Sequence, residues 1–117
     1  MPVRVVIVDD HPVFRRSARK LLERDGFEVV GEAGDGAAAL KVARELEPDV
    51  LLLDIALPDT SGFEVADALA GTAARIVLVS SRDAADFGPR LRQTRAAGFI
   101  PKDELTAGAV RALLESR

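Results

Sequence analysis

Cysteine, tyrosine and tryptophan are absent from this chain, histidine occurs once and phenylalanine five times. Lack of cysteine removes any disulfide framework, thiolate metal site or cysteine nucleophile. So few aromatic rings do not make a base-stacking platform for single-stranded nucleic acid. Positive charge is also scarce: 16 Lys and Arg stand against 19 Asp and Glu, a net charge of −3. Free-standing nucleic-acid binders are usually basic, because phosphate contacts dominate their affinity. No direct nucleic-acid binding by this segment is therefore expected. No apolar run approaches the roughly 18 residues of a membrane span. The N-terminus runs into Asp9 and Asp10 without the basic, apolar and small-residue order of a secretion signal. These absences favour a cytoplasmic location with no membrane partner.

What is present suits one globular domain over residues 1–117, with 48% apolar and 30% charged residues. Short apolar runs alternate with longer amphipathic ones. Residues 3–8 form a β-branched run interrupted only by Arg4, as in a central strand buried on both faces. Pro12 then suits a first helical position, with Asp10 or His11 as cap. Phe14, Ala18, Leu21 and Leu22 follow at helical spacing, and Asp25-Gly26 ends the helix. Residues 27–33 read as a more polar edge strand. Asp35-Gly36 leads into a helix through Ala39, Leu40, Ala43 and Leu46, broken by Pro48-Asp49. Residues 50–53 form a wholly apolar strand ending at Asp54. After a loop with Pro58 and Gly62 comes a helix near 63–69, then a strand at 76–79 ending at Ser80-Ser81. A helical stretch to Ala97 is interrupted by Gly88-Pro89, so it should begin late or be mobile. A short strand, Gly98–Pro101, ends at Lys102, and Leu105, Ala109, Val110, Leu113 and Leu114 mark a last helix.

Five strand–helix units with short connections predict an α/β fold: one parallel sheet covered by helices on both faces. Ligands of such sheets bind outside the carboxyl ends of the strands. Asp9, Asp10, Asp54, Ser80 and Lys102 all fall there. Three buried acids repel one another and lose hydration, so the cluster calls for a cation. Mg²⁺ suits it, as a hard ion that takes oxygen ligands and bridges to phosphate. Each Asp alone would more simply cap the first helix; the combination with Asp54 and Lys102 argues for a site. Lys102 would neutralise the cluster and donate to an anionic oxygen. Ser80 and Ser81 compete for a hydroxyl role, and strand alternation should turn only one inward; Ser80 is favoured. A carboxylate nucleophile, a divalent metal, a hydroxyl and an ammonium, without a general base, fit phosphoryl transfer to a carboxylate.

Five segments carry a resemblance. They are Val-Asp-Asp-His-Pro at 8–12, Pro-Asp-Val-Leu-Leu-Leu-Asp at 48–54, Leu-Pro-Asp-Thr-Ser-Gly at 57–62, Ile-Val-Leu-Val-Ser-Ser at 76–81 and Gly-Phe-Ile-Pro-Lys at 98–102. In this order and spacing the chain resembles the receiver domain of bacterial two-component response regulators. The Asp-Asp-His-Pro start most resembles receivers that precede a helix-turn-helix output domain. The resemblance implies a doubly wound, flavodoxin-like (βα)5 fold of strand order 2-1-3-4-5. It implies that Asp54 accepts a phosphoryl group from a sensor histidine kinase, a phosphotransfer protein or a small phosphodonor. Asp10 and Asp54 would hold Mg²⁺, or Mn²⁺, through side chains, Asp9 through water and Ala56 through its backbone carbonyl. Lys102 and Ser80 would contact the phosphoryl group, and Ser80 and Phe99 would act as the switch. The fourth helix, fifth strand and fifth helix would form the face that controls an output domain or a homodimer partner. No independent substrate is implied, so the chain is not expected to be an enzyme.

Some positions depart from the family's usual pattern. Ala56 is smaller than the residue often found there, Phe99 lacks the hydroxyl of the commoner tyrosine, and Arg82 would be solvated or reach the site's mouth. Asp103 replaces the proline that often follows the lysine, so a trans Lys102–Asp103 bond is expected. Three other readings compete with this one. A phosphorylation-independent adaptor or dimerisation module would be marked by loss of an acid or the lysine. A flavin module would need a hydroxyl-rich phosphate loop where Asp9-Asp10 stands. A metal-dependent hydrolase would need an acid or base, and the lone His11 reads as a solvated helix-start residue.

Overall fold

The computed structural model describes residues 1–115. The chain alternates β1 (Arg4–Val8), α1 (Pro12–Arg24), β2 (Glu28–Ala33), α2 (Gly36–Leu46), β3 (Val50–Asp54), α3 (Gly62–Ala68) and β4 (Arg75–Ser80). A 3-10 turn at Ala84–Phe87 precedes α4 (Arg90–Gln93), β5 (Gly98–Pro101), a second 3-10 turn at Lys102–Glu104 and α5 (Ala107–Glu115). The five strands form one parallel sheet in the order β2-β1-β3-β4-β5. This is the doubly wound strand order expected, and the more polar β2 lies at an edge.

Period-2 alternation divides the strands between two cores. Val6, Val8, Leu51, Leu53, Ile76 and Leu78 face the side covered by α2 and α3, while Val5, Ile7, Val50, Leu52, Val77 and Val79 face α1 and α5. Leu51, Leu52 and Leu53 are each at most 1% exposed. Burial of each contributes roughly 1.5–3 kcal/mol, enough for the strand to carry a buried acid at its end despite a desolvation cost of several kcal/mol.

Several local details differ from expectation. His11 occupies the N-cap position of α1, but neither it nor Asp10 caps through its side chain; instead the Asp9 carboxylate accepts the His11 backbone N–H at 2.8 Å. The helical stretch expected up to Ala97 stops at Gln93. Gly88, at φ +57°, and Pro89 separate the 3-10 turn from α4, so that helix begins late, as its sequence predicts. Beyond Thr94 the chain is drawn into the sheet, with the Ala97 N–H donating to the Ile76 carbonyl at 2.7 Å. Among the described residues no peptide bond is cis, so Lys102–Asp103 is trans.

The two ends of the sheet are built differently. At the amino end, Arg4 donates from its backbone to Asp49 Oδ2 and from its guanidinium to the Leu46 and Glu47 carbonyls. Arg75 reaches the Leu113 and Leu114 carbonyls at the end of α5. At the carboxyl end the strands open into loops.

Candidate functional site

Strand register brings the acids together. Val8 pairs with Leu53 and Asp54 with Val79, while Ser80 pairs with Pro101. The next residues in each line, Asp9, Asp54, Ser80 and Lys102, therefore meet at one end although they are far apart in sequence. Asp9 is 0% exposed, and Asp54 and Ser80 are each 3% exposed. Asp10 and His11 lie at the rim, exposed, and Ser81 points out.

Lys102 is the cation among them. Its Nζ stands 2.6 Å from Asp9 Oδ2 and 3.4 Å from Asp54 Oδ2. The longer contact is a hydrogen bond. The shorter one is an ion pair that gives the fully buried Asp9 carboxylate its counter-charge. The ammonium also sits 4.4 Å from the centre of the Phe14 ring, a contact worth roughly 0.5–2 kcal/mol. Asp54 Oδ1 accepts the Ala56 N–H at 3.2 Å, which fixes the carboxylate relative to the loop that follows.

Burial pushes both carboxyls upward. At Asp9 the Lys102 ammonium and the His11 backbone and ring outweigh it, and the group titrates below the ordinary carboxylate value. At Asp54 burial and the charge of Asp9 prevail over Lys102 and Ala56, so its proton is held more tightly than usual.

The site can take a hard divalent cation. Asp9, Asp10, His11 and Asp54 each place a ligand atom so that all lie within 4.8 Å of one another. Oxygen donors dominate the set, which suits Mg²⁺. Ala56 lies two residues past Asp54 in an exposed position, tied by a bridge to Ser61.

The loop after β3 is shaped by close approach. A Cβ on Gly62 would stand 2.6 Å from the Asp54 carbonyl oxygen and 2.9 Å from Ile55 Cα, which leaves room for glycine alone. Asp59 then clamps this loop to α2, accepting from the Gly36 and Ala37 N–H groups at 2.7 and 3.1 Å. On the neighbouring side Ser80 Oγ accepts the Arg82 N–H at 3.0 Å; the Arg82 side chain is solvated.

Phe99 on β5 is half-buried and meets Phe87 edge-to-face at 5.8 Å. Phe87 meets Phe63 of α3 in the same manner at 5.9 Å. Sequence reasoning missed this aromatic chain, the Phe14 seat of Lys102 and the Asp59 clamp. His11 is the solvated helix-start residue expected, but the contacts of its Nδ1, 2.9 Å from Asp9 and 3.0 Å from Asp10, were not foreseen. Its adjacency to two acids was the available signal.

A parallel sheet of this order, with carboxylates and a lysine gathered at its carboxyl end, defines the receiver class of signalling domains. Comparison with known proteins agrees: residues 5–114 match the response regulator receiver domain, and the chain belongs to that family. It is 44% identical to the nitrate/nitrite response regulator NarP of Escherichia coli K12, over 95% of this chain and 54% of NarP. Among solved structures, the signal receiver domain of a protein named NarL from Mycobacterium tuberculosis superposes with a TM-score of 0.90 at 38% identity, covering 99% of this chain and 98% of that one. A LuxR-family two-component response regulator from Aurantimonas gives 0.86 at 32% identity, covering 97% and 84%. The chain spans about half the length of the curated relatives it matches. No described helix is long and apolar enough to cross a membrane.

Proposed function

We propose that the protein is a phosphoacceptor switch of a two-component phosphorelay, with Asp54 as the acceptor. The observation that carries this reading is the buried pair Asp9 and Asp54 sharing the Lys102 ammonium at the carboxyl end of the sheet. An Asp54 carboxylate oxygen attacks the phosphorus of a phosphohistidine on a sensor kinase or phosphotransfer protein, or of a small phosphodonor. The acyl phosphate bond forms as the donor's bond to phosphorus breaks, and the leaving group keeps the electron pair. Asp10, Asp54 and the Ala56 carbonyl would hold Mg²⁺ or Mn²⁺, with Asp9 acting through water. The metal when bound supplies charge neutralisation and alignment of the phosphoryl oxygens. Lys102 donates to a phosphoryl oxygen, leaving Asp9 partly or wholly for the new anion, and the Ser80 hydroxyl turns toward it from its contact with Arg82.

Phe99 follows Ser80 inward, and the face made by α4, β5 and α5 changes. That face would control a helix-turn-helix output domain or a homodimer partner, in the cytoplasm, and the chain has no separate substrate. An adaptor role independent of phosphate is disfavoured, because every acid and the lysine are in place. Intact mass after incubation with acetyl phosphate and Mg²⁺ tests the reading. One phosphoryl mass is expected, and none in Asp54→Asn; undiminished labelling of that variant would refute the acceptor assignment.

A further inference from the structure

Phe14 stands on the first turn of α1, just after the acids, and its ring faces the Lys102 ammonium. We propose that Phe14 is a positioning residue for phosphoryl transfer: its ring holds that ammonium in the pocket while the ammonium changes partner from Asp9 to the incoming phosphoryl oxygen. The proposal rests on the acceptor reading of Asp54.

Three observations carry it. First, Lys102 Nζ lies over the Phe14 ring, 4.4 Å from its centre, within the reach of a cation–π contact. Second, the same atom stands 2.6 Å from Asp9 Oδ2 and 3.4 Å from Asp54 Oδ2, so the ring is the neutral member of a three-part seat. Third, the Lys102 side chain is only 17% exposed, and Phe14 packs on the core beneath α1 and α5. The ring is thus fixed by contacts of its own rather than by the lysine it holds.

The advantage of a ring over another acid follows from donor chemistry. Lysine ends in a compact charge with three N–H donors on a flexible stem. A further carboxylate beside it would accept one of those donors and compete with the phosphoryl oxygen. An aromatic face attracts the charge through its quadrupole and occupies no N–H. Its hold therefore persists while the donors are exchanged. Without it the stem drifts, and the ammonium stays with Asp9 or turns to water, so it meets the phosphoryl group less often. The resting state keeps the Asp9 contact either way, so the loss falls on the transfer step.

The test places mono-, di- and trifluorinated phenylalanine at position 14 of the full chain, which weakens the ring's pull on a cation stepwise at nearly constant shape. With acetyl phosphate and Mg²⁺, the rate of Asp54 labelling read by intact mass should fall at each step, to about a fifth with the trifluorinated ring. Phe14→Leu should fall at least as far. In Lys102→Ala the same series should leave that variant's slower rate unchanged, an outcome that a merely structural role of the ring does not give. Fluorination at Phe27, whose ring carries Arg111 at 4.3 Å, is the control for a cation on a ring elsewhere and should not alter the rate. A rate that ignores fluorination at position 14, or an equal fall in Lys102→Ala or on fluorinating Phe27, overturns the proposal and leaves the acceptor reading standing. A parent chain that takes no phosphoryl group overturns the acceptor reading, and this proposal with it.

Discussion

At the scale of single residues, the buried acids act on stability in opposite directions. The native state holds the Asp54 proton more tightly than the unfolded chain does, because of burial and the charge of Asp9. Stability from this group therefore falls as pH rises from the ordinary carboxylate value of 3.8 through the raised one, and stays lost above it. Asp9 has the opposite sign: its depressed value adds stability at neutral pH, lost as pH falls through the native value. Asp54→Asn should accordingly melt higher than the parent at pH 7, with roughly 4–8 °C for each kcal/mol relieved. The gap should narrow near pH 3, where Asp54 is protonated in the unfolded chain as well as in the native state. Melting curves at the two pH values decide this, and an equal or lower melting temperature at pH 7 would contradict it. Asp54 and Ser80 were legible in sequence because each ends an apolar run. The partner that Lys102 prefers was not, since its 2.6 Å contact with Asp9 and its seat on Phe14 depend on where three separate elements meet.

At the scale of elements, α4 is the weak one. It has four residues, none of them buried, well short of the length at which a helix holds itself together. The order of strands was legible because each strand has its own apolar run and each connection holds a helix. The length of α4 was not, because Ala97 is drawn to the sheet by a tertiary hydrogen bond to Ile76 that no local pattern encodes. What holds this region is Phe87, between Phe63 and Phe99. Each edge-to-face pair contributes about 0.5–1.5 kcal/mol beyond area burial. Phe87→Ala should thus cost about 1–3 kcal/mol while leaving phosphoryl acceptance at Asp54 intact. In the parent, beryllofluoride should alter hydrogen-exchange protection mainly between residues 80 and 105. In Phe87→Ala the change should shrink to the loops around Asp10 and Asp54. If the variant keeps the full remote response, the aromatic chain does not transmit it. Lys102→Ala should likewise accept phosphate, more slowly, with little remote change.

At the scale of the whole molecule, a ligand of the native state stabilises it by mass action. On the proposed reading, Mg²⁺ at about ten times its dissociation constant should add about 1.4 kcal/mol, a melting shift of several degrees. Asp10→Ala should remove most of that shift, and an unchanged shift would place the ion elsewhere. Gly62→Ala should lower stability by about 1–3 kcal/mol, because its Cβ has nowhere to go but into the Asp54 carbonyl.

The difference between the two ends of the sheet gives the molecule the mechanics of a cantilever. Arg4, Asp49 and Arg75 rivet the amino end to α2 and to the end of α5. The carboxyl end, where the charge would arrive, is the free end of the beam. A load applied there cannot be relieved by sliding the strands lengthwise against their anchored roots. On the proposed reading it would be deflected sideways, across β4 and β5 toward the thin α4 side, and the rivets farthest from the signal would set its direction.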